Sequence, residues 1–138
     1  MITVEWLTEE HLHYMPLPKG LDTRAYFTPG SAGFAVKEFE LPVFAGGIVN
    51  LQWRRGEAWI LPTPWFRTNL KTSFSLMKKY IPHIAFEYGF RRVQASCVAK
   101  TSTILFYHLG FQFEGALAGY GPNGETCDMW SRIFEVNP

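Results

Sequence analysis

One long segment of the chain repeats apolar residues at helical spacing. Six apolar positions between residues 70 and 88 are three or four residues apart, which places them on one face of an α-helix beginning near Asn69. These positions are Leu70, Phe74, Met77, Ile81, Ile84 and Tyr88. Gly89 follows, where a left-handed C-terminal residue is common. Because proline has no N–H and clashes with the preceding turn, we expect Pro82 to kink or restart this helix.

Shorter apolar runs predict strands on both sides of that helix. They lie at residues 2–6, 34–39, 43–49, 58–61, 92–98, from 111 onward and 127–134. The segment Arg54–Glu57 is typical of a hairpin turn. Gly46 and Gly47 stand inside an apolar run, which indicates a bulge or a close backbone approach.

Three further segments complete the pattern. A short helix is expected after Thr8, a possible N-cap followed by acidic residues in the first turn. Residues 16–33 are rich in Pro, Gly and Thr and predict a loop, and Thr101 to Leu109 predicts a second short helix ending at Gly110. Helices interspersed with a mostly antiparallel sheet indicate an α+β fold with three α/β/α layers. A length of 138 residues suits one domain, 1–138.

Composition excludes several classes of protein. Apolar residues make up 47% of the chain and aromatic residues 17%, which argues against disorder. Thirteen basic and twelve acidic residues give a net charge of +1, which is too balanced for a nucleic-acid binder. No apolar run approaches the roughly 20 residues of a membrane span, and no secretory signal is visible.

Cysteine and histidine spacing gives no sign of a metal site. Cys97 and Cys127 lack CxxC spacing, and the four histidines form no HxxxH or HExxH pair. We therefore expect reduced thiols and a cytoplasmic protein that binds neither metal, nucleic acid nor membrane.

Three segments resemble known proteins. The run Pro64-Trp65-Phe66-Arg67 is similar to the Pro-x-x-Arg lead into the phosphate-binding loop of GNAT acyltransferases, and Leu105 to Phe111 resembles the LYxxLGF run on their last helix. The resemblance implies a GNAT-like mixed sheet with flanking helices. The segment Glu40 to Gly47 resembles small GNAT-related phage proteins, one of which is a podovirus internal virion protein.

The family resemblance implies a binding loop for acetyl-CoA. The family loop is Arg/Gln-x-x-Gly-x-Gly/Ala, whose small residues let a pyrophosphate approach the amides of a helix N-terminus. Here Arg67 fills the first position, while Leu70 and Thr72 stand in the two glycine places. The expected cofactor-binding residues are Leu61, Thr63, Arg67, Thr68, Asn69, Leu70, Lys71, Thr72 and Phe106. The resemblance implies that the cofactor lies between the strand ending at Leu61 and the strand at Val93 to Val98, with backbone groups near Leu61 and Thr63 paired with its pantetheine arm.

The resemblance also implies a general acid and leaves the general base open. The family's acid is a tyrosine at a fixed distance before the Leu-Gly-Phe run, and that position is Phe106 here, with Tyr107 one residue later. The family often has an asparagine seven residues before this tyrosine, and that position is Ala99 here. Tyr107 is the candidate acid, although it also suits a half-buried aromatic residue. Glu40 is the candidate base, with Glu38, Glu57, His83 and His108 as alternatives.

These features support two hypotheses about function. The first is an acyl-CoA-dependent N-acetyltransferase that moves acetyl from acetyl-CoA to an amine of a small molecule or protein. The second is a catalytically inactive GNAT-fold phage protein that is a virion component or binds a host protein. The many aromatic residues also favour an exposed apolar patch and a homodimer.

Overall fold

The computed structural model describes residues 1–61, 63–98 and 103–135. Seven strands lie in these residues: β1 (Ile2–Trp6), β2 (Ala32–Glu38), β3 (Leu41–Asn50), β4 (Arg55–Ile60), β5 (Arg92–Val98), β6 (Gln112–Leu117) and β7 (Cys127–Ile133). They form one sheet in the order β1-β2-β3-β4-β5-β7-β6. Every neighbouring pair is antiparallel except β4 and β5, which are parallel.

Helices cover both faces of this sheet. They are α1 (Glu9–His13), a 3₁₀ turn (Arg24–Phe27), α2 (Pro64–Thr68), α3 (Leu70–Glu87) and α4 (Thr103–His108). The expected α+β fold with a mostly antiparallel sheet is therefore confirmed. The expected start of the last helix at Thr101, and Ala99, lie outside the described residues.

Strand alternation divides the buried side chains between two faces. On what we call the α3 face, Phe44, Ile48 and Val93 pack with residues of α3 and α4. On the opposite side, the α1 face, Ala45 and Leu61 pack with Leu12 of α1 and with Met15, which follows that helix. The larger core is on the α3 face, and the smaller one holds α1 against the middle of the sheet.

Gly46 and Gly47 open opposite faces of β3. A Cβ on Gly46 would stand 2.9 Å from the Met77 sulfur, so this glycine makes room for α3. A Cβ on Gly47 would stand 2.6 Å from the backbone of Gly33 and 3.0 Å from the Trp59 ring. The expected close approach is thus present at both glycines: Gly46 lets α3 approach the sheet, and Gly47 lets the Trp59 indole approach it. The register shift in this hairpin lies elsewhere, between Val36 and Lys37.

Helix α3 differs from its predicted form at Pro82 and at both ends. It is one continuous helix through Pro82, and its fully buried residues are Ser73, Met77, Ile81, Ile84 and Ala85. Leu70 and Tyr88, the ends of the predicted apolar stripe, are exposed. The Lys78 carbonyl, which Pro82 deprives of a donor, lies on an exposed turn where water can replace the missing bond.

One turn and one strand boundary also differ from expectation. The segment Arg54–Glu57 is not a hairpin turn, because β4 begins at Arg55. The chain turns earlier, through three successive residues with positive φ: Gln52 (77°), Trp53 (54°) and Arg54 (59°). Strand β2 begins at Ala32, two residues before the predicted start. Glu57 is therefore a strand residue in the middle of the sheet.

We predict that Gly47→Ala destabilises the protein far more than Gly46→Ala. The new Cβ at Gly47 would meet backbone of β2, which cannot move without disturbing the sheet, whereas at Gly46 it would meet a flexible methionine. Overpacking of this kind costs about 1–3 kcal/mol. Urea unfolding of both variants measures the difference. Equal losses of unfolding free energy would contradict this account of the two glycines.

Candidate functional site

The two halves of the sheet separate between β4 and β5. These strands pair only from Arg55 to Glu57, opposite Arg92 to Gln94. Beyond that point β4 remains paired with β3 as far as Ile60, and β5 remains paired with β7 as far as Val98. A wedge-shaped gap therefore opens toward the carboxyl ends of the two parallel strands.

Backbone polar groups of both strands face this gap. The Leu61 N–H donates to the Ala45 carbonyl at 3.0 Å, so the backbone N–H and C=O groups of odd-numbered residues in β4 point toward β3. The Ile60 N–H and carbonyl and the Ala58 carbonyl therefore point to the open side, where no strand pairs with them among the described residues. By the same alternation, the backbone polar groups of Ser96 face the gap from β5.

A cavity of about 560 Å³ occupies the gap and is lined from both faces of the sheet. On the α3 face its walls are Ala58, Ile60, Met77, Cys97, Leu105, Phe106 and Leu109. On the α1 face they are Ala25, Tyr26, Val49, Leu51, Glu57, Trp59 and Ser96. The cavity therefore connects the two faces of the sheet.

Glu57 is the one carboxylate among these lining residues, and none of them is Lys, Arg or His. It lies on β4 opposite Val49, next to the point where β5 diverges. Burial raises the pKa of the Glu57 carboxyl above its ordinary value of 4.5. A carboxylate with a raised pKa inside a cavity is suited to accept a proton.

An aromatic pair forms the α1-face wall beside Glu57. The rings of Tyr26 and Trp59 stack with centroids 3.7 Å apart and planes 9° apart. The Trp59 ring also lies close over two glycines, since a Cβ on Gly33 or Gly47 would stand 2.9 or 3.0 Å from its Cζ2. Its buried Nε1–H has no acceptor among the residues described. Both faces of the indole are therefore covered by protein.

Leu61 and Thr63 lie at the open end of β4, but their polar groups are used within the protein. The Thr63 N–H donates to the Leu61 carbonyl. The Thr63 hydroxyl donates to the Val43 carbonyl at 2.5 Å and accepts the Phe66 N–H at 3.2 Å, so Thr63 is the N-cap of α2. The backbone groups that face the gap belong instead to Ala58 and Ile60.

The predicted phosphate loop is divided between two helices. Arg67 and Thr68 are the last residues of α2, and the Asn69 N–H donates to the Trp65 carbonyl at 2.9 Å. Leu70, Lys71 and Thr72 form the first turn of α3, where amides have no acceptor within the helix. This first turn is the part of the predicted loop whose amides suit an anion, and the Leu70 side chain is 48% exposed there.

The two predicted catalytic residues lie away from the cavity lining. Tyr107 is 73% exposed and stands on the outer side of α4, whereas Phe106 is buried and lines the cavity. Glu40 lies on the β2–β3 turn, where its carboxylate is 3.4 Å from the Lys37 ammonium. The structure thus brings Glu57 and Phe106 together at the gap and leaves Tyr107 and Glu40 outside it.

Sequence reasoning assigned three cavity residues to other roles or overlooked them. In the sequence, Glu57 is an alternative base within an expected turn, whereas Trp59 and Ser96 lie in expected strands without an assigned role. The signal for them is strand alternation, since Glu57, Trp59 and Ser96 share the α1 face once the register of β4 and β5 is known. That register is not visible in the sequence.

None of the helices in residues 1–61, 63–98 and 103–135 is both long and apolar enough to cross a membrane. In the same ranges, no cluster of three or more His, Cys, Asp or Glu side chains is arranged to hold a metal ion.

Comparisons with solved structures identify this architecture. Spermidine/spermine N-acetyltransferase SpeG from Vibrio cholerae superposes with a TM-score of 0.74 over 96% of this chain and 92% of its own, at 12% identity. An acetyltransferase of the GNAT family from Streptococcus pneumoniae gives a TM-score of 0.76 over 98% of this chain and 100% of its own, at 11% identity. This protein has the GNAT fold. No protein-family model matches the sequence, and no curated protein matches it.

Within the GNAT fold, the position of Glu57 predicts an unusual dependence of stability on pH. Because the folded state holds this proton more tightly than the unfolded state, the stability associated with the protonated group is complete below pH 4.5 and is lost as pH rises through the raised pKa. We therefore expect Glu57→Gln to raise the melting temperature at pH 7 and to have little effect near pH 4.

Thermal unfolding at both pH values, with Glu87→Gln on the exposed side of α3 as a matched control, measures this effect. The control removes the same charge from a solvated position and should leave the melting temperature within about a degree at either pH. A Glu57→Gln variant that is less stable than the parent at pH 7 would show that the carboxylate has a stabilising partner.

Proposed function

We propose that the protein is an acetyl-CoA-dependent N-acetyltransferase that binds the donor in the gap between β4 and β5 and the acceptor amine at Glu57. The observation that carries this proposal is the cavity through the sheet with a single half-buried carboxylate on one side. The GNAT fold of the chain agrees with it.

The residues at the gap fit a cofactor with an amide-containing arm. The Ala58 carbonyl and the Ile60 N–H stand in an extended strand without a partner, so an arm with amides can pair with them as an additional strand. The first turn of α3 offers amides for phosphate, and Arg67 and Lys71 beside it add positive charge. These residues would hold coenzyme A.

Glu57 supplies the proton chemistry that an amine acceptor requires. An alkyl amine has a pKa near 10.4 and is therefore mostly ammonium at neutral pH. Glu57 takes a proton from this ammonium and leaves the nitrogen lone pair available, and its raised pKa makes it a stronger base than an exposed carboxylate. When bound, acetyl-CoA supplies a thioester carbonyl as the electrophile.

Positioning accounts for the remaining catalysis in this proposal. Phe106 occupies the family's tyrosine place and cannot donate a proton, and Tyr107 is exposed. A thiol has a pKa near 8.5, so a thiolate leaves without a strong acid beside it. The protein contributes by excluding water with Phe106 and its apolar neighbours and by holding the two reactants in line through the sheet.

We predict saturable micromolar binding of acetyl-CoA in a calorimetric titration. Arg67→Ala should weaken it about tenfold, because one charge–phosphate contact is worth roughly 1.4 kcal/mol. Leu70→Gly should strengthen it by opening the approach to the first amides of α3. Lys78→Ala, which removes a charge from an exposed position further along α3, is the control and should bind like the parent. Absence of binding at millimolar acetyl-CoA would overturn the proposal.

The second candidate is a GNAT-fold protein that binds a host or virion protein and has lost the reaction. Leu70 in a glycine place and Phe106 in the tyrosine place favour it. It predicts that Arg67→Ala changes no measurable property, and that a partner is recovered by pull-down where acetyl-CoA fails to bind. The titration above therefore separates the two candidates.

A further inference from the structure

The α1-face side of the cavity, where the acceptor amine is proposed to bind, carries few charges, and this restricts which ligands it can bind. Seven residues line the cavity on the α1 face, and Glu57 is the only carboxylate among them. Most of the others are apolar or aromatic, including Val49, Leu51 and Tyr26. One buried carboxylate can compensate one ammonium, and a second buried ammonium would have no partner.

The indole of Trp59 offers no alternative place for a second ammonium. A cation is attracted to the face of an aromatic ring and not to its edge. One face of the Trp59 indole is covered by Tyr26 at 3.7 Å and the other by the glycines of β2 and β3. The cavity therefore meets Trp59 at its edge, which favours apolar or aromatic groups.

Arginines lie at the closed end of the gap. Arg55 precedes Glu57 by two residues on the same face of β4, and Arg92 stands opposite Arg55 on β5. Arg92 is paired with Glu114, whereas Arg55 has no carboxylate within ion-pair distance in the described part of the chain. A second ammonium that extended from Glu57 toward this end would approach positive charge.

We infer that the acceptor is a monoamine with an apolar body, and not a polyamine. This inference rests on the proposed function. The ammonium binds at Glu57, and an alkyl chain or aromatic ring packs against Val49, Leu51 and the edges of the Tyr26–Trp59 pair. In the transfer, the amine nitrogen forms a bond to the acetyl carbon as the carbon–sulfur bond breaks. One proton passes from the ammonium to Glu57, and the departing coenzyme A thiolate takes the second proton, which the nitrogen loses as the amide forms.

Hexylamine and 1,6-diaminohexane form a matched pair for the test, because they share one carbon chain and differ by one ammonium. We expect the parent protein with acetyl-CoA to release thiol with a kcat/KM at least tenfold higher for hexylamine. Calorimetric binding of each amine to the protein without acetyl-CoA gives a second readout, with hexylamine expected to bind at least tenfold more tightly.

A variant with an added carboxylate tests the charge argument. Leu51→Glu places a second acid on the cavity wall at a partly exposed residue, and it should shift the kcat/KM ratio and the binding ratio toward the diamine. Leu41→Glu adds the same charge at an exposed position on β3 that does not line the cavity, and it should leave both ratios unchanged.

The outcomes separate this inference from the proposed function. Equal or better use of the diamine by the parent protein would overturn the inference and support the acetyltransferase. Preferential binding of hexylamine without thiol release would contradict the transferase and, with it, the role of a monoamine as acceptor. Neither binding nor thiol release with either amine would overturn both.

Discussion

The divergence of β4 from β5 is the constraint on which the rest of the site depends. Each strand has a full antiparallel partner on its other side, β3 for β4 and β7 for β5, so neither needs the other beyond the residue pair of Glu57 and Gln94. The sheet can therefore open without leaving a strand unsupported. What remains unpaired is a short row of backbone groups, and buried backbone groups require partners. A ligand with an amide-containing arm meets that requirement.

Two features beside the gap lower the stability of the fold: a partly buried carboxylate and two glycines that give up side-chain packing. Glu57 is partly buried among apolar residues, and burial raises its pKa, which means that folding disfavours its charged form. A protein that needed only to fold would gain from a neutral residue there. The glycines at positions 33 and 47 likewise give up side-chain packing so that Trp59 can lie flat across the sheet and close the wall beside Glu57.

The fold was largely predictable from sequence, and the family resemblance also indicated the gap between β4 and β5, whereas the placement of Glu57 in that gap was not predictable. The apolar spacing of α3 and the order of strands indicate a three-layer α+β domain because both follow from local periodicity. The position of Glu57 was missed because Gly56 resembles a turn residue, although its absent Cβ instead avoids Ile48 and Phe90 inside the sheet. The turn itself uses Gln52, Trp53 and Arg54, which carry no turn signal. The gap arises from strand pairing between distant segments, which local patterns do not encode.

Amide hydrogen exchange of Ile60 tests the central claim most directly. Its N–H faces the gap, whereas the N–H of neighbouring Trp59 points toward β3 and is paired in the sheet. If the gap binds the arm of coenzyme A, adding saturating coenzyme A should slow exchange at Ile60 by tenfold or more and leave Trp59 nearly unchanged. Protection confined to residues outside β4 and β5, with Ile60 exchanging at its original rate, would contradict the account.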